Sequence, residues 1–205
     1  MIEGEPCVYG LLFRAGLTES GGSLSHSRWN LFGLEPEVGF VIGEQIDPTD
    51  EPRTAAEVFA AVGEVAPVIE VCGRRHTLAD GATPLQSLGD ASCAACVVIG
   101  QRFPAGGDGG VTAAELDGWT ASLSVRGVEV AAGSTTANPL GGPLASLTWC
   151  INHLSRRGIA LEPGMLVIAG AICKSRAFGP GDDVVAVFHR ADGSIVGTVS
   201  TTISE

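Results

Sequence analysis

The chain has 205 residues, 45% hydrophobic and 17% charged, with 29 glycines and 11 prolines. That is long enough for one domain with a sizeable core, rich in strands and turns, and too apolar to be disordered. A formal net charge of −11 argues against a nucleic-acid-binding face and against binding to an anionic membrane surface.

In chain order, Val8 to Phe13 is a short apolar run containing Tyr9-Gly10, and Glu19 to Gly22 reads as a turn. The start lacks the basic and apolar regions of a signal peptide, and no apolar run is long enough to span a bilayer. A cytoplasmic, reduced protein is expected, with Cys7, Cys72, Cys93, Cys96, Cys150 and Cys173 as free thiols. Ser23 to Arg28, polar apart from Leu24, leads into Leu34-Glu35-Pro36-Glu37-Val38-Gly39-Phe40. Side chains alternate along a strand, so Glu35 and Glu37 share one face. Two like charges beside apolar residues repel each other and resist desolvation, and a divalent cation relieves both penalties. Carboxylate oxygens suit Mg²⁺ or Mn²⁺; the alternative is a solvated edge strand. Pro36 has no N–H, which predicts an edge or a bulge there.

Asp47 to Pro52 breaks the chain. Thr54 to Val65 then reads as a helix with Ala55, Val58, Phe59 and Val62 on one face, and Thr54 with Glu57 makes a capping box. Pro67 to Cys72 is the next expected strand. Glu70 lies inside its apolar run, either as a third metal ligand, as a partner of Arg74 or Arg75, or facing solvent on an alternating strand. Residues 73–92 form a polar connection long enough for a lid or binding loop, holding His76, Asp80 and Asp90. His76 is a general-base candidate there, against the plainer reading of an exposed histidine. Cys93-Ala-Ala-Cys96 runs straight into Val97-Val98-Ile99 without a second half-site, so it reads as core strand, not as zinc or redox chemistry.

Phe103 to Gly110 is a Gly-rich loop without the lysine or spacing of a phosphate loop. Trp119 to Ala132 alternates as two strands turning at Arg126-Gly127. Pro143 opens an amphipathic helix with the stripe Leu144, Leu147, Ile151 and Leu154, ending at Gly158, with His153 at its surface or at the edge of the core. Met165 to Ala171, Val184 to Phe188 and Ile195 to Ser200 are expected strands, the last two joined at Asp192-Gly193. Helices do not alternate with strands, which excludes a doubly wound sheet.

Several pieces, in order, resemble the C-terminal catalytic fold of the fumarylacetoacetate hydrolase superfamily. They are Tyr9-Gly10-Leu11-Leu12, Glu35-Pro36-Glu37-Val38-Gly39-Phe40-Val41-Ile42-Gly43, Ile69-Glu70-Val71, Asp90-Ala91-Ser92, Leu140-Gly141-Gly142-Pro143-Leu144, Gly164 to Ala171 and Gly181-Asp182. Within it the chain is most similar to the 2-oxopent-4-enoate (2-hydroxypenta-2,4-dienoate) hydratases and 4-oxalocrotonate decarboxylases. The resemblance implies a single domain over residues 1–205, α+β but mostly β, a mixed β-roll with a few flanking helices. It implies Mg²⁺ or Mn²⁺ on Glu35, Glu37 and Glu70, and a substrate cavity lined by Leu140, Gly170 and Ala171. It further implies hydratase or lyase action on a short 2-hydroxydienoate or 2-oxo acid, and a homo-oligomer that can associate with a related decarboxylase or hydratase.

Family members carry a longer N-terminal region with a lysine in a Gly-Leu-Thr-type motif, and this chain starts after that point. Val8 stands where the family often has an acid before the aromatic-Gly pair, and Asp90 where it has an asparagine. The substitutes expected for the acid–base group are His76 and Lys174, the only lysine, whose plainer reading is an exposed loop cation. The other readings are a 2-oxo acid decarboxylase, a C–C bond hydrolase, or a non-catalytic homologue serving as a partner subunit.

Overall fold

The computed structural model describes residues 7–76 and 83–205. In chain order the elements are β1 (Leu17–Glu19), β2 (Ser23–Ser25), α1 (His26–Trp29), β3 (Leu31–Ile42), α2 (Ala55–Ala60) and β4 (Val62–Gly73). Then come α3 (Pro84–Gly89), β5 (Ala94–Ile99), β6 (Phe103–Pro104), α4 (Ala113–Leu116), β7 (Thr120–Val125) and β8 (Val128–Ser134). The last are α5 (Pro143–Ser155), β9 (Leu166–Ile168), β10 (Asp183–His189) and β11 (Ile195–Ser204). One sheet runs β1-β5-β4-β3-β9 with β6 beside β4, and the other runs β2-β11-β10-β7-β8. Pairing is antiparallel except for β1 with β5 and β2 with β11, so both sheets are mixed. The fold is α+β and mostly β, with five helices among the described residues.

The long antiparallel pair β3 and β4 is the spine. Alternation sends Leu34, Val38, Phe40 and Ile42 of β3 and Val65, Ile69 and Val71 of β4 into a core shared with the second sheet. Leu123 of β7, Val184 and Phe188 of β10, and Val199 and Ile203 of β11 meet them there. The intervening residues, Glu35 and Glu37 of β3 and Ala66, Val68 and Glu70 of β4, face the other way. On that second face Ala66, Val68, Val97 and Ile99 form a smaller apolar cluster with Leu12, Leu17, Leu166 and Ile168 packed against it.

The Arg126-Gly127 turn forms as expected: both residues have positive φ, 53° and 74°, the backbone a two-residue hairpin needs. Helix α5 buries Leu147, Ile151 and Leu154, and Gly158 beyond it takes a φ of 71°. His153 is buried, not at the helix surface, with ring centroids 5.3 Å from Tyr9 and 4.7 Å from Trp149.

Four expectations need correction. The helix from Thr54 has its capping box but ends at Ala60 instead of Val65. Val62 to Val65 belong to β4, where Gly63 lies against the backbone of Gly43 and a Cβ would stand 2.7 Å or 2.9 Å from the opposite glycine's Cα. Pro36 lies in an interior strand of the sheet order, and the bulges of β3 fall elsewhere, at Leu31/Gly33 and Val41/Ile42. Its carbonyl accepts from Ile172; backbone N–H and C=O of one antiparallel residue point the same way, so the missing donor faces the side where β9 has already ended. The strand expected from Met165 to Ala171 is only Leu166–Ile168, because the chain then leaves regular pairing and touches β3 singly through Ala169, Ile172 and Ser175. The polar connection holds α3, capped by Thr83 and Gln86, and Asp80 lies outside the described residues.

Candidate metal centre

Leu34, Pro36 and Val38 spend their backbone groups on Ser175, Ile172 and Ala169, so Glu35 and Glu37 present theirs to β4. Glu35 stands directly opposite Glu70, and Glu37 opposite Val68. Like charges in directly opposed cross-strand positions destabilise a sheet. The arrangement nonetheless gathers one carboxylate oxygen from each of Glu35, Glu37 and Glu70 within 4.8 Å. Glu37 is buried, while Glu35 and Glu70 are half-buried.

The electrostatics follow from that crowding. Burial, then the charge of Glu70, raises the Glu37 carboxyl well above the ordinary carboxylate range, against the opposing pull of the Gly170 N–H. Burial and then the charge of Glu35 push Glu70 up to about 7. The contact between Glu37 and Glu70 raises the first carboxyl further and lowers the second. The neighbouring Cys72 thiol, with Sγ 4.0 Å from Glu70 Oε1, is also raised, by burial first and by the carboxylates second. Three crowded carboxylates, two of them raised by burial and by each other's charge, make a site short of positive charge. Hard oxygen donors in this number suit a divalent cation such as Mg²⁺ or Mn²⁺.

Backbone geometry orients the buried ligand. The Gly170 N–H donates to Glu37 Oε2 at 2.7 Å, and the Gly170 carbonyl accepts from Asn138 Nδ2. Gly170 has a φ of 98°, a region that favours glycine. Asn138 is a residue whose part the sequence reading missed. Its only signal there is an Asn-Pro pair, which marks a turn without saying what the amide holds. Leu140 follows two residues later, exposed and with a φ of 62°, and Ala171 is half-buried.

The two acid–base candidates fare differently. Lys174 Nζ lies 3.9 Å from Glu35 Oε1, on a side chain that is 75% exposed. His76 is carried instead to Asp90, Nε2 to Oδ2 3.7 Å. Asp90 is buried and committed: it accepts from the Arg75 backbone N–H at 2.9 Å and from Arg75 Nη1 at 3.0 Å. So Arg75 pairs with Asp90, not with Glu70. Arg74 stacks on Phe32 with its guanidinium carbon 4.3 Å from the ring centroid. All six cysteines are free, and Cys96 sits inside the core strand β5.

No protein-family model matches the chain. It is 35% identical over 152 residues to the 2-keto-4-pentenoate hydratase of Paraburkholderia xenovorans, a match that covers 73% of this chain and 52% of that enzyme. It is 28% identical over 177 residues to a 4-oxalocrotonate decarboxylase of a Pseudomonas species, covering 86% of this chain and 64% of the relative. The chain therefore spans about half to two thirds of the length of these curated relatives. Among solved structures, the 4-oxalocrotonate decarboxylase of Pseudomonas putida G7, complexed with magnesium and adipate, superposes with a TM-score of 0.80. That match is at 23% identity and covers 96% of this chain and 69% of that one. The similarity drawn from the sequence holds in both sequence and fold, and the mostly β architecture is that of the fumarylacetoacetate hydrolase type.

Proposed function

We propose that this chain is a metal-dependent hydratase or related lyase acting on a short 2-hydroxydienoate or 2-oxo acid. The observation that carries the reading is the cluster of Glu35, Glu37 and Glu70 within 4.8 Å, with its deficit of positive charge. These three residues would hold Mg²⁺ or Mn²⁺, and such an ion supplies Lewis-acid stabilisation of charge that develops on the substrate's 2-oxygen. The chain's own groups do the rest. The Gly170 N–H fixes Glu37, and Asn138 fixes Gly170. The contact of Lys174 with Glu35 supports Lys174 as the group that gives or takes a proton at Nζ. His76, engaged with Asp90, becomes the second choice. Leu140 and Ala171, on the two segments that meet at Gly170, would line the substrate cavity.

A 2-oxo acid decarboxylase is the second reading, favoured by the greater share of this chain aligned with the decarboxylase relative, 86% against 73%. The same reading takes the chain as one catalytic domain in the cytoplasm, where six unpaired thiols are at home. It also expects a homo-oligomer that covers open sheet edges, with association to a related decarboxylase or hydratase. The test is calorimetric titration with Mn²⁺ of the wild type, Glu70→Ala and a distant control, Glu57→Ala, followed by product assays on 2-oxo and 2-hydroxydienoic acids. Strong loss of Mn²⁺ affinity in Glu70→Ala alone is expected; equal affinity in all three proteins defeats the metal assignment.

A further inference from the structure

Residues 7–13 lie in no helix or strand, yet contacts along their length hold them down as a strap. Tyr9 meets His153 of α5 edge to face, with ring centroids 5.3 Å apart. Gly10 lies so close to the Ala91 carbonyl oxygen that a Cβ would fall 2.1 Å from it. Leu12 packs against the apolar cluster on the second face of the sheet. Phe13 lies beneath Arg75, whose guanidinium carbon is 5.0 Å from its ring centroid. Regular pairing begins only at β1, which joins β5 in parallel.

The face of α5 beneath the strap carries a thiol. Residues three and four apart are neighbours on a helix, with Cβ atoms about 5–6 Å apart. Trp149 and His153 show it, with ring centroids 4.7 Å apart, and Cys150 stands beside them, one turn before His153. On the strap, Cys7 precedes Tyr9 by two residues, a length of chain that reaches at most about 7 Å. With Tyr9 resting on His153, Cys7 is therefore delivered to the neighbourhood of Cys150. The two thiols sense each other: burial first and the charge of Cys7 second push Cys150 up to about 11, while burial raises Cys7 as well. Both are half-buried, whereas Cys72 and Cys96 are buried in β4 and β5. Raised thiols gain no stabilisation as thiolates, and that favours the disulfide over the reduced pair.

We infer that Cys7 and Cys150 are a redox modification site, a dithiol that hydrogen peroxide converts to a disulfide and so staples the strap to α5. Cys150 carries the added penalty of the Cys7 charge, so Cys7 ionises first and attacks the peroxide. An S–O bond forms, the O–O bond breaks, and a hydroxide leaves to become water, with the Cys7 sulfur oxidised to a sulfenic acid. The Cys150 sulfur then attacks that of Cys7. The S–S bond forms, the S–O bond breaks, and the proton of the Cys150 thiol leaves with the hydroxyl as a second water. Two thiols and one peroxide thus give one disulfide and two waters. A dithiol reductant reverses the change by exchange, and in a reducing compartment such a bond is transient and responsive to oxidant. The pairing does not depend on the metal assignment.

The test treats the whole protein with hydrogen peroxide, alkylates the remaining thiols and maps the cross-links by mass spectrometry, followed by scanning calorimetry with and without a dithiol reductant. The expected result is a Cys7–Cys150 disulfide that the reductant removes. The melting midpoint should rise with it by at least about 5 °C, because the bond joins residues far apart in sequence and restrains the unfolded chain. Cys7→Ser and Cys150→Ser should each lose both the cross-link and the shift, and Cys93→Ser should keep both. Cys7 joined to any other cysteine, oxidised beyond the sulfenic acid while Cys150 stays reduced, or left unmodified overturns the pairing, as does a shift that survives in Cys7→Ser. A Cys7–Cys150 cross-link that leaves the midpoint unchanged or lowers it shows that native packing does not bring the two thiols together, and overturns the inference as well.

Discussion

Replacing Glu70 by glutamine separates the two roles of the carboxylate cluster, because it removes a charge the fold tolerates poorly and a ligand the metal needs. Burial and Glu35 raise Glu70 from its ordinary 4.5 to about 7. The folded metal-free protein therefore keeps a proton in that interval which the unfolded chain releases, and stability falls as pH rises through it. The full rise corresponds to about 3 kcal/mol, discounted to roughly 2 kcal/mol for the partial exposure of the side chain. In the presence of a chelator, Glu70→Gln and wild type should melt together near pH 4.5. By pH 8 the variant should melt roughly 4–8 °C higher, since each kcal/mol moves the midpoint by about 2–4 °C at this chain length. Saturating Mn²⁺ should reverse the order: ligand at a hundredfold excess over its dissociation constant adds about 2.7 kcal/mol to the wild type, and little to the variant. Scanning calorimetry across pH, with chelator and then with Mn²⁺, measures both halves. If the chelated variant is no more stable than wild type at pH 8, or if its advantage does not grow with pH, the crowding argument is wrong.

Lys174→Ala should leave Mn²⁺ binding intact and slow turnover of whichever 2-oxo or 2-hydroxydienoic acid is accepted by about 10²-fold or more, the usual worth of a general acid–base group; unchanged steady-state turnover would remove Lys174 from the chemistry. Light scattering at micromolar concentration should return a mass above that of one chain, and a monomer would contradict the oligomer reading. Gly10→Ala should lower the melting temperature measurably, because its Cβ would fall 2.1 Å from the Ala91 carbonyl oxygen, where backbone must move to make room; an unshifted melting curve would show that the two segments do not pack as described.

The carboxylate cluster was legible because its pattern is local. Glu35 and Glu37 alternate with core residues, and Glu70 interrupts an apolar run, so a period of two suffices to put acids on one face of each strand. What no local pattern held was their pairing: that Glu35 and Glu70 are cross-strand partners is a matter of register, fixed by the 34 residues of intervening chain. The same limit explains the helix drawn too long. Ala55 to Val65 has helical spacing, but Val62 and Val65 gain more as partners of Ile42 and Phe40, with Gly63 allowing close approach to Gly43. Arg75 was a plausible mate for Glu70 in sequence, five residues away. Past the strand end at Gly73 its guanidinium instead reaches the buried Asp90, fifteen residues on. The roles of Gly170 and Asn138 were the least visible, because a backbone N–H and a carbonyl have no letter in the sequence.

The two faces of β3 and β4 carry different side chains, large apolar groups between the sheets and the carboxylates on the other side, and that gives the strand pair an error check. A slip of β3 by one residue against β4 would turn every side chain of β3 over. Glu35 and Glu37 would then enter the core between the sheets, Phe40 would leave it, and Glu70 would be left on the opposite face from its two partners. Such a misalignment is heavily penalised, since two acids and several large apolar groups of β3 exchange places at once. Chains that reach the native core have, by the same event, aligned their ligands, and no separate step is needed to assemble the site. An insertion of one residue within Leu34–Phe40 should consequently abolish folding outright, where the same insertion in the Gly106–Gly110 loop would be absorbed.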